Sequence, residues 1–262
     1  MEYKKKEISL PNSQQTNLRA EKILFCGWRR DLDDMITELE KCVAAGSELH
    51  IMSNIPINKR GQLLEEGGLY ENESGGERKL KLVHHVLNQT VRRHLEKLPI
   101  EQFDSILILA ESDDELKNPS YADSRSLSTL LLLRDIQTKR QVRSCTVISE
   151  ILDPRTKQLI SVADISDYVV SNELVSMSIA MILEQRETNQ ILSELFTAVG
   201  SEVFMRSILI YALPGEELNF WELTQRAGYR REILIGYKIS GSFPPFFPQY
   251  FVIILIYFLL VE

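Results

Sequence analysis

The first strong pattern in the chain is an apolar run at positions 23–26 that ends abruptly in Gly27-Trp28-Arg29-Arg30-Asp31. Apolar residues then recur at Leu32, Met35, Ile36, Leu39 and Val43, the three- and four-residue spacing of one helix face. A strand, a tight turn and a helix are predicted in that order. Positions 48–53 predict a second strand, ended by Asn54-Ile55-Pro56. The stretch 61–76 is rich in glycine and glutamate and reads as a loop or insertion. A short third strand is predicted at 79–83, and an amphipathic helix at 88–98, stopped by Pro99. Positions 103–110 are almost continuously apolar, as in a strand buried on both faces of a parallel sheet. An apolar helix follows at 123–136, capped by Asp123 or Ser124, and further strands are expected at 146–152 and 167–170.

From 172 to 199 the pattern is helical throughout, with a polar break at 184–189, which predicts a crossover helix and a second helix. Beyond Gly200 a smaller unit is expected: a strand at 207–213, a helix at 219–227 and a strand at 232–237. The end differs again. Pro244, Pro245 and Pro248 precede a wholly apolar run at 250–261. A dozen helical residues reach only about 18 Å, against a hydrocarbon core of about 30 Å. A buried strand or an aberrant end is therefore expected there ahead of a membrane span. Strands alternating with helices imply parallel βαβ units. The fold class is α/β: a Rossmann-like, doubly wound parallel sheet with a helical crossover and an incomplete small C-terminal α+β lobe. The expected organisation is a flexible segment 1–20, a Rossmann-like lobe 21–171, crossover helices 172–200, a partial lobe 201–240 and a Pro-rich, apolar tail 241–262.

Composition narrows the function. With 262 residues, 44% of them hydrophobic and 26% charged, the chain is globular in character. A net charge of -7 argues against general nucleic-acid binding, which needs a basic face. Cys26, Cys42 and Cys145 are few, odd in number and far apart. No CxxC pair suggests zinc, and free thiols in a reducing compartment are expected. Residues 1–20 are polar and lack the apolar core of a secretory signal.

The turn after the first strand lies where open α/β sheets bind ligands. It has the single glycine Gly27 where a dinucleotide fingerprint has three, followed by Arg29 and Arg30. Backbone N–H groups at a helix start, together with two guanidinium forks, could hold an anion. The competing reading is that both arginines pair with nearby carboxylates. No acid ends the second strand, so NAD is not expected. His84, His85 and His94 lie within about ten residues, but His84 and His85 are adjacent in a strand and point to opposite faces, so these two are not expected to share a metal, and surface or packing roles are expected for the three. The acidic groups Glu111, Asp113, Asp114 and Glu115, and Glu184, Glu187, Glu194 and Glu202, match no EF-hand loop. No nucleophile with an attendant base appears, and the chain is expected not to be an enzyme.

Several long blocks carry a resemblance: GWRRDLDDMI, VRRHLEKLPIEQFDSILILA, DSRSLSTLLLLRDIQ, VISEILDPRTKQLISVADISDYVVSNELVSM and RREILIGY, in this order. From about residue 21 to about 239 the chain resembles the regulatory part of the plant CASTOR/POLLUX ion channels. That part is similar to the regulator-of-potassium-conductance domains of bacterial channels. The resemblance implies a Rossmann-like lobe in a tetrameric gating ring, a crossover that pairs subunits, and a channel in the nuclear envelope that conducts cations and supports symbiotic calcium signalling. It implies calcium as a ligand near the junction of crossover and small lobe, where Glu184, Glu187 and Glu202 are the candidate carboxylates. Partners would be further copies of the chain or full-length channel subunits, with membrane association through them or through the tail. No pore helix precedes residue 21, so this chain is not expected to conduct by itself. The chain departs from the family in a short segment between Gln141 and Thr146, and again after Ser240. A Rossmann nucleotide-binding enzyme, and a truncated interaction protein that modulates full-length subunits, remain as alternatives.

Overall fold

The computed structural model describes residues 19–66, 79–111, 119–142, 145–162, 168–196, 203–213, 215–239 and 251–257. They fall into two compact units, one spanning Leu18–Leu183 and one holding the described residues from Glu184 onward.

The first unit is built on six strands: β1 (Lys22–Cys26), β2 (Ser47–Ser53), β3 (Leu80–Val86), β4 (Ser105–Ile108), β5 (Thr146–Ile151) and β6 (Tyr168–Val170). Their spatial order is β3-β2-β1-β4-β5-β6, and every neighbouring pair is parallel. The helices between them are α1 (Leu32–Cys42), α2 (Ile57–Glu66), α3 (Arg92–Leu95), α4 (Pro119–Arg140) and α5 (Thr156–Val162); α6 (Ser171–Glu184) follows the last strand. Successive β1 side chains enter different cores. Leu24 and Cys26 pack with Leu95 of α3 and with Leu130, Leu133 and Ile136 of α4. Ile23 and Phe25 pack with Leu32 and Ile36 of α1 and Leu64 of α2. A strand buried on both faces needs an unbroken apolar run, which is why β1 reads so clearly in the sequence. The chain order reverses between β1 and β4, and the carboxyl ends of these two strands open onto the switch point of the sheet.

Local chemistry corrects several sequence expectations. The helix expected over 88–98 is helical only at Arg92–Leu95. Asn88 Oδ1 accepts hydrogen bonds from the Thr90 N–H and Oγ1, and the Asn88 N–H donates to His94 Nδ1. These local bonds offer residues 88–91 a turn in place of a helix. The helix expected over 123–136 runs from Pro119 to Arg140. Asp123 therefore lies inside it, and its carboxylate serves a different segment. The stretch 61–76, expected to be a loop, is helical in α2 as far as Glu66, and 67–78 lies outside the described residues.

In the second unit, α7 (Thr188–Phe196) precedes β7 (Val203–Ser207), α8 (Phe220–Gly228), β8 (Glu232–Ile239) and β9 (Phe251–Tyr257). The strand expected at 207–213 is displaced. The strand ends at Ser207, where a turn of 3-10 helix, Ile208–Ile210, begins with the Ser207 hydroxyl accepting from the Leu209 N–H. The sheet is antiparallel in the order β7-β9-β8. The apolar run near the end of the chain thus supplies the central strand. A capping box starts α8, with Asn219 and Glu222 each bonding the other's backbone N–H. Leu223 and Ala227 of α8 pack with Tyr211 and Leu234. Among the described residues, no helix is long and apolar enough to cross a membrane.

Candidate functional site

Gly27 ends β1 at the switch point. Its N–H donates to Met52 O at 2.9 Å, and the Leu109 N–H donates to Cys26 O at 2.8 Å. Its φ of +116° suits glycine alone, and a Cβ here would stand 2.8 Å from Leu109 O. The glycine is thus required by the close approach of the backbone following β4, whether or not a ligand binds. Gln89, only 2% exposed, places its Oε1 3.3 Å from that same Cβ position, and neither of its amide atoms has a hydrogen-bond partner among the described residues.

Arg29 is fully engaged within the unit. Its Nε and Nη2 bond the two carboxylate oxygens of Asp31, each at 2.8 Å, and its Nη1 bonds Glu150 Oε1 at the end of β5. Burial works against the guanidinium charge, but Asp31 and Glu150 outweigh it and hold the Arg29 pKa above its ordinary value. Glu150 is 5% exposed and has two further donors: the Ala110 N–H to Oε2 at 3.0 Å and the Ser171 hydroxyl to Oε1. A ligand anion at this edge would have to compete with two carboxylates for Arg29 and would lie beside the buried Glu150. The geometry therefore favours the reading in which Arg29 pairs with carboxylates. Arg30, the other arginine of the turn, is exposed.

The end of β2 is closed by a residue that sequence reasoning did not single out. Arg60 of α2 is completely buried and donates to the carbonyls of Ile51, Ser53, Ile55 and His85. Its guanidinium lies 5.8 Å from the centre of the Trp28 ring. Burial lowers its pKa. The carboxyl end of β2, where a dinucleotide site would present an acid to ribose, is filled by a cation bonded to the sheet itself. Only the helical reading of 57–66 could have revealed Arg60, and Gly61 and the acidic stretch beyond it masked that reading.

The histidines separate as adjacent strand residues do. His85 stacks on His50 of β2, with His50 Nδ1 and His85 Nε2 2.9 Å apart, and Phe103 meets His50 edge-on. His84 lies by Arg60, at 3.5 Å. Burial lowers the pKa of all three, so they are neutral at neutral pH. His94 is tied to the Asn88 backbone. Glu111 pairs with Arg125 at 2.8 Å, while 112–118, with Asp113, Asp114 and Glu115, lies outside the described residues.

Glu184 and Glu187 are exposed around the turn between α6 and α7, Glu194 is on α7, and Glu202 lies outside the described residues. Among the described residues no group of three or more His, Cys, Asp or Glu is placed to hold a metal ion. Calcium takes six to eight oxygens, and Glu184 and Glu187 by themselves supply too few.

Among the described residues, α6 leaves apolar side chains exposed. On α6, Leu174, Val175, Met177, Ile179, Met181 and Leu183 are all half-exposed or more. Ile191 and Phe196 of α7 are exposed as well. Alongside α6 and β6 runs an open groove of about 450 Å³, lined by Tyr168, Val170, Leu174 and Met177 with Lys157 and Glu173 at its polar side. Exposed apolar surface on this scale marks an interaction face.

No protein-family model matches the chain. It is 46% identical to the ion channel CASTOR of Lotus japonicus over 260 residues, covering 89% of this chain and 30% of that protein. It is 45% identical to the probable ion channel POLLUX of Arabidopsis thaliana, covering 88% of this chain and 31% of that one. The chain thus spans about a third of the length of these curated relatives. Among solved structures, the human SLO3 gating ring superposes with a TM-score of 0.59 at 13% identity, over 90% of this chain and 44% of that one, a likeness of fold alone.

Proposed function

We propose that this chain, a homologue of the CASTOR and POLLUX ion channels, is the regulatory gating part of such a channel. Identity of 46% across nine-tenths of the chain carries the reading. The fold supports it, because the carboxyl edge of the sheet is closed by Arg29, Glu150 and Arg60 while the apolar residues of α6 are left exposed.

In this reading a second copy covers the apolar residues of α6 and α7, and paired lobes join into a ring of channel subunits. Ligand binding favours one arrangement of the lobes, and the rearrangement is passed to the pore. A ligand shifts that balance only by its differential affinity for the two arrangements. Calcium is the ligand proposed, through Glu184, Glu187 and Glu202. The site proposed for the full channel is the nuclear envelope, with membrane attachment through the pore-bearing subunits.

The test is assembly. The purified chain is expected to run as a dimer or larger by light scattering, and the double variant L174E/M177E as a monomer with unchanged circular dichroism. Unchanged assembly of the variant would remove the helix face from the proposal. Calorimetric titration with calcium, repeated on E184Q/E187Q, tests the ligand separately. Absence of heat at millimolar calcium would remove calcium and leave the gating role standing.

A further inference from the structure

Glu150 receives hydrogen bonds from three separate parts of the first unit. Arg29 comes from the turn after β1, the Ala110 N–H from the end of β4, and the Ser171 hydroxyl from the first residue of α6. One oxygen, Oε1, takes both Arg29 and Ser171, while Oε2 takes Ala110. The carboxylate is buried, so these charge-assisted bonds are strong and the loss of any one is felt by the others. Ser171 is also where the apolar helix α6 begins. Two further ties reach the same turn of α6: Asn172 Nδ2 to Leu152 O at 2.9 Å, and Lys157 to Glu173 at 3.3 Å.

We infer that Glu150 is a positioning residue that couples the carboxyl-edge turn at Arg29 to the first turn of α6. When Arg29 bonds Glu150, the carboxylate is held in one orientation and fixes Ser171. When Arg29 is drawn away, the buried carboxylate loses its cation and reorients, so the Ser171 bond weakens. Among the described residues the Arg29 side chain bonds Asp31 and Glu150 and nothing on α6, so an effect of Arg29 on that helix must pass through Glu150. The coupling belongs to the Leu18–Leu183 unit and stands apart from any channel. Only its use, to pass events at the sheet edge to the helix face, rests on the gating reading.

The experiment is backbone hydrogen exchange on the whole 262-residue chain, comparing wild type, R29M, S171A, E150Q and R29M/S171A. Exchange in the peptide spanning 171–177 is expected to rise roughly three- to tenfold in R29M, E150Q and S171A, the size of one lost hydrogen bond. In the S171A background, R29M is expected to add almost nothing, because the link is already cut. If R29M accelerates exchange only around 27–34, or adds its full effect to S171A, the coupling is refuted. R29K keeps the charge and loses the fork, so it covers the case in which R29M does not fold. It is expected to raise exchange in 171–177 by less than E150Q does, and no rise in both R29K and E150Q would equally overturn the inference.

Discussion

At the residue scale, Gly27 and Arg29 at the switch point each have a structural duty. Gly27→Ala places a methyl against Leu109 O at a φ of +116° and is expected to destabilise the chain by ~1–3 kcal/mol in urea unfolding. A neutral result would mean that the turn relaxes freely. The thiols divide by burial. Cys26 is pushed up to about 12 and Cys145 to about 11, chiefly by desolvation, whereas Cys42 is exposed. A thiol reagent added to native protein near neutral pH is therefore expected to label Cys42 alone, with the other two reacting only after unfolding. Rapid labelling of Cys26 would show that β1 opens far more easily than its burial implies. The glycine and the buried cysteines were legible in the sequence because each interrupts or sits within an apolar run. The partners of Arg29 were not, because Glu150 lies 121 positions away and only the sheet brings it near.

At the element scale, α4 is pinned to the segment after β5 by one carboxylate. Asp123, 1% exposed, accepts from the Leu152 N–H at 2.8 Å, the Asp153 N–H at 2.9 Å and Thr156 Oγ1 at 2.8 Å. Asp123→Ala leaves three donors unsatisfied and is expected to cost about 2–4 kcal/mol by chemical denaturation, and Asp123→Asn less, since it keeps one acceptor. Equal losses in the two variants would show that the carboxylate charge, rather than the bonds, is what counts. The sequence suggested Asp123 as a helix cap, which is the usual reason for an Asp at the start of an apolar pattern. Pro119 starts the helix one turn earlier, leaving Asp123 free for a longer-range role.

At the scale of the whole molecule, two sets of groups set the pH dependence. Burial depresses His50, His84 and His85 below their ordinary value of 6.5. The unfolded chain therefore takes up protons first, and stability is expected to fall as pH drops below about 6.5. Glu48 is held down to about 2 by Lys81 and Lys22, and Asp153 to about 2 by Arg155. Their contribution is complete above the ordinary values of 4.5 and 3.8 and is lost as pH falls towards 2. A melting temperature that declines in two steps on acidification would agree, and His85→Gln should shrink the upper step alone. A curve flat from neutral pH down to about 5 would contradict the assignment of the histidines.

The parallel strands of the doubly wound sheet and the apolar character of α6 were legible in the sequence alone, whereas α2 and α5 were not. The legible features depend on local periodicity or on unbroken apolar runs, and these survive in one dimension. The tertiary structure alone decided what fills the carboxyl edge of the sheet. Arg29 and Glu150 meet from 121 positions apart, and Arg60 ties α2 to the carbonyls of both β2 and β3, through bonds that no local pattern records. It also decided the fate of the last apolar run. Its length argued against a membrane span but left a buried strand and a stray end open, and only pairing with both β7 and β8 makes residues 251–257 the centre of a sheet.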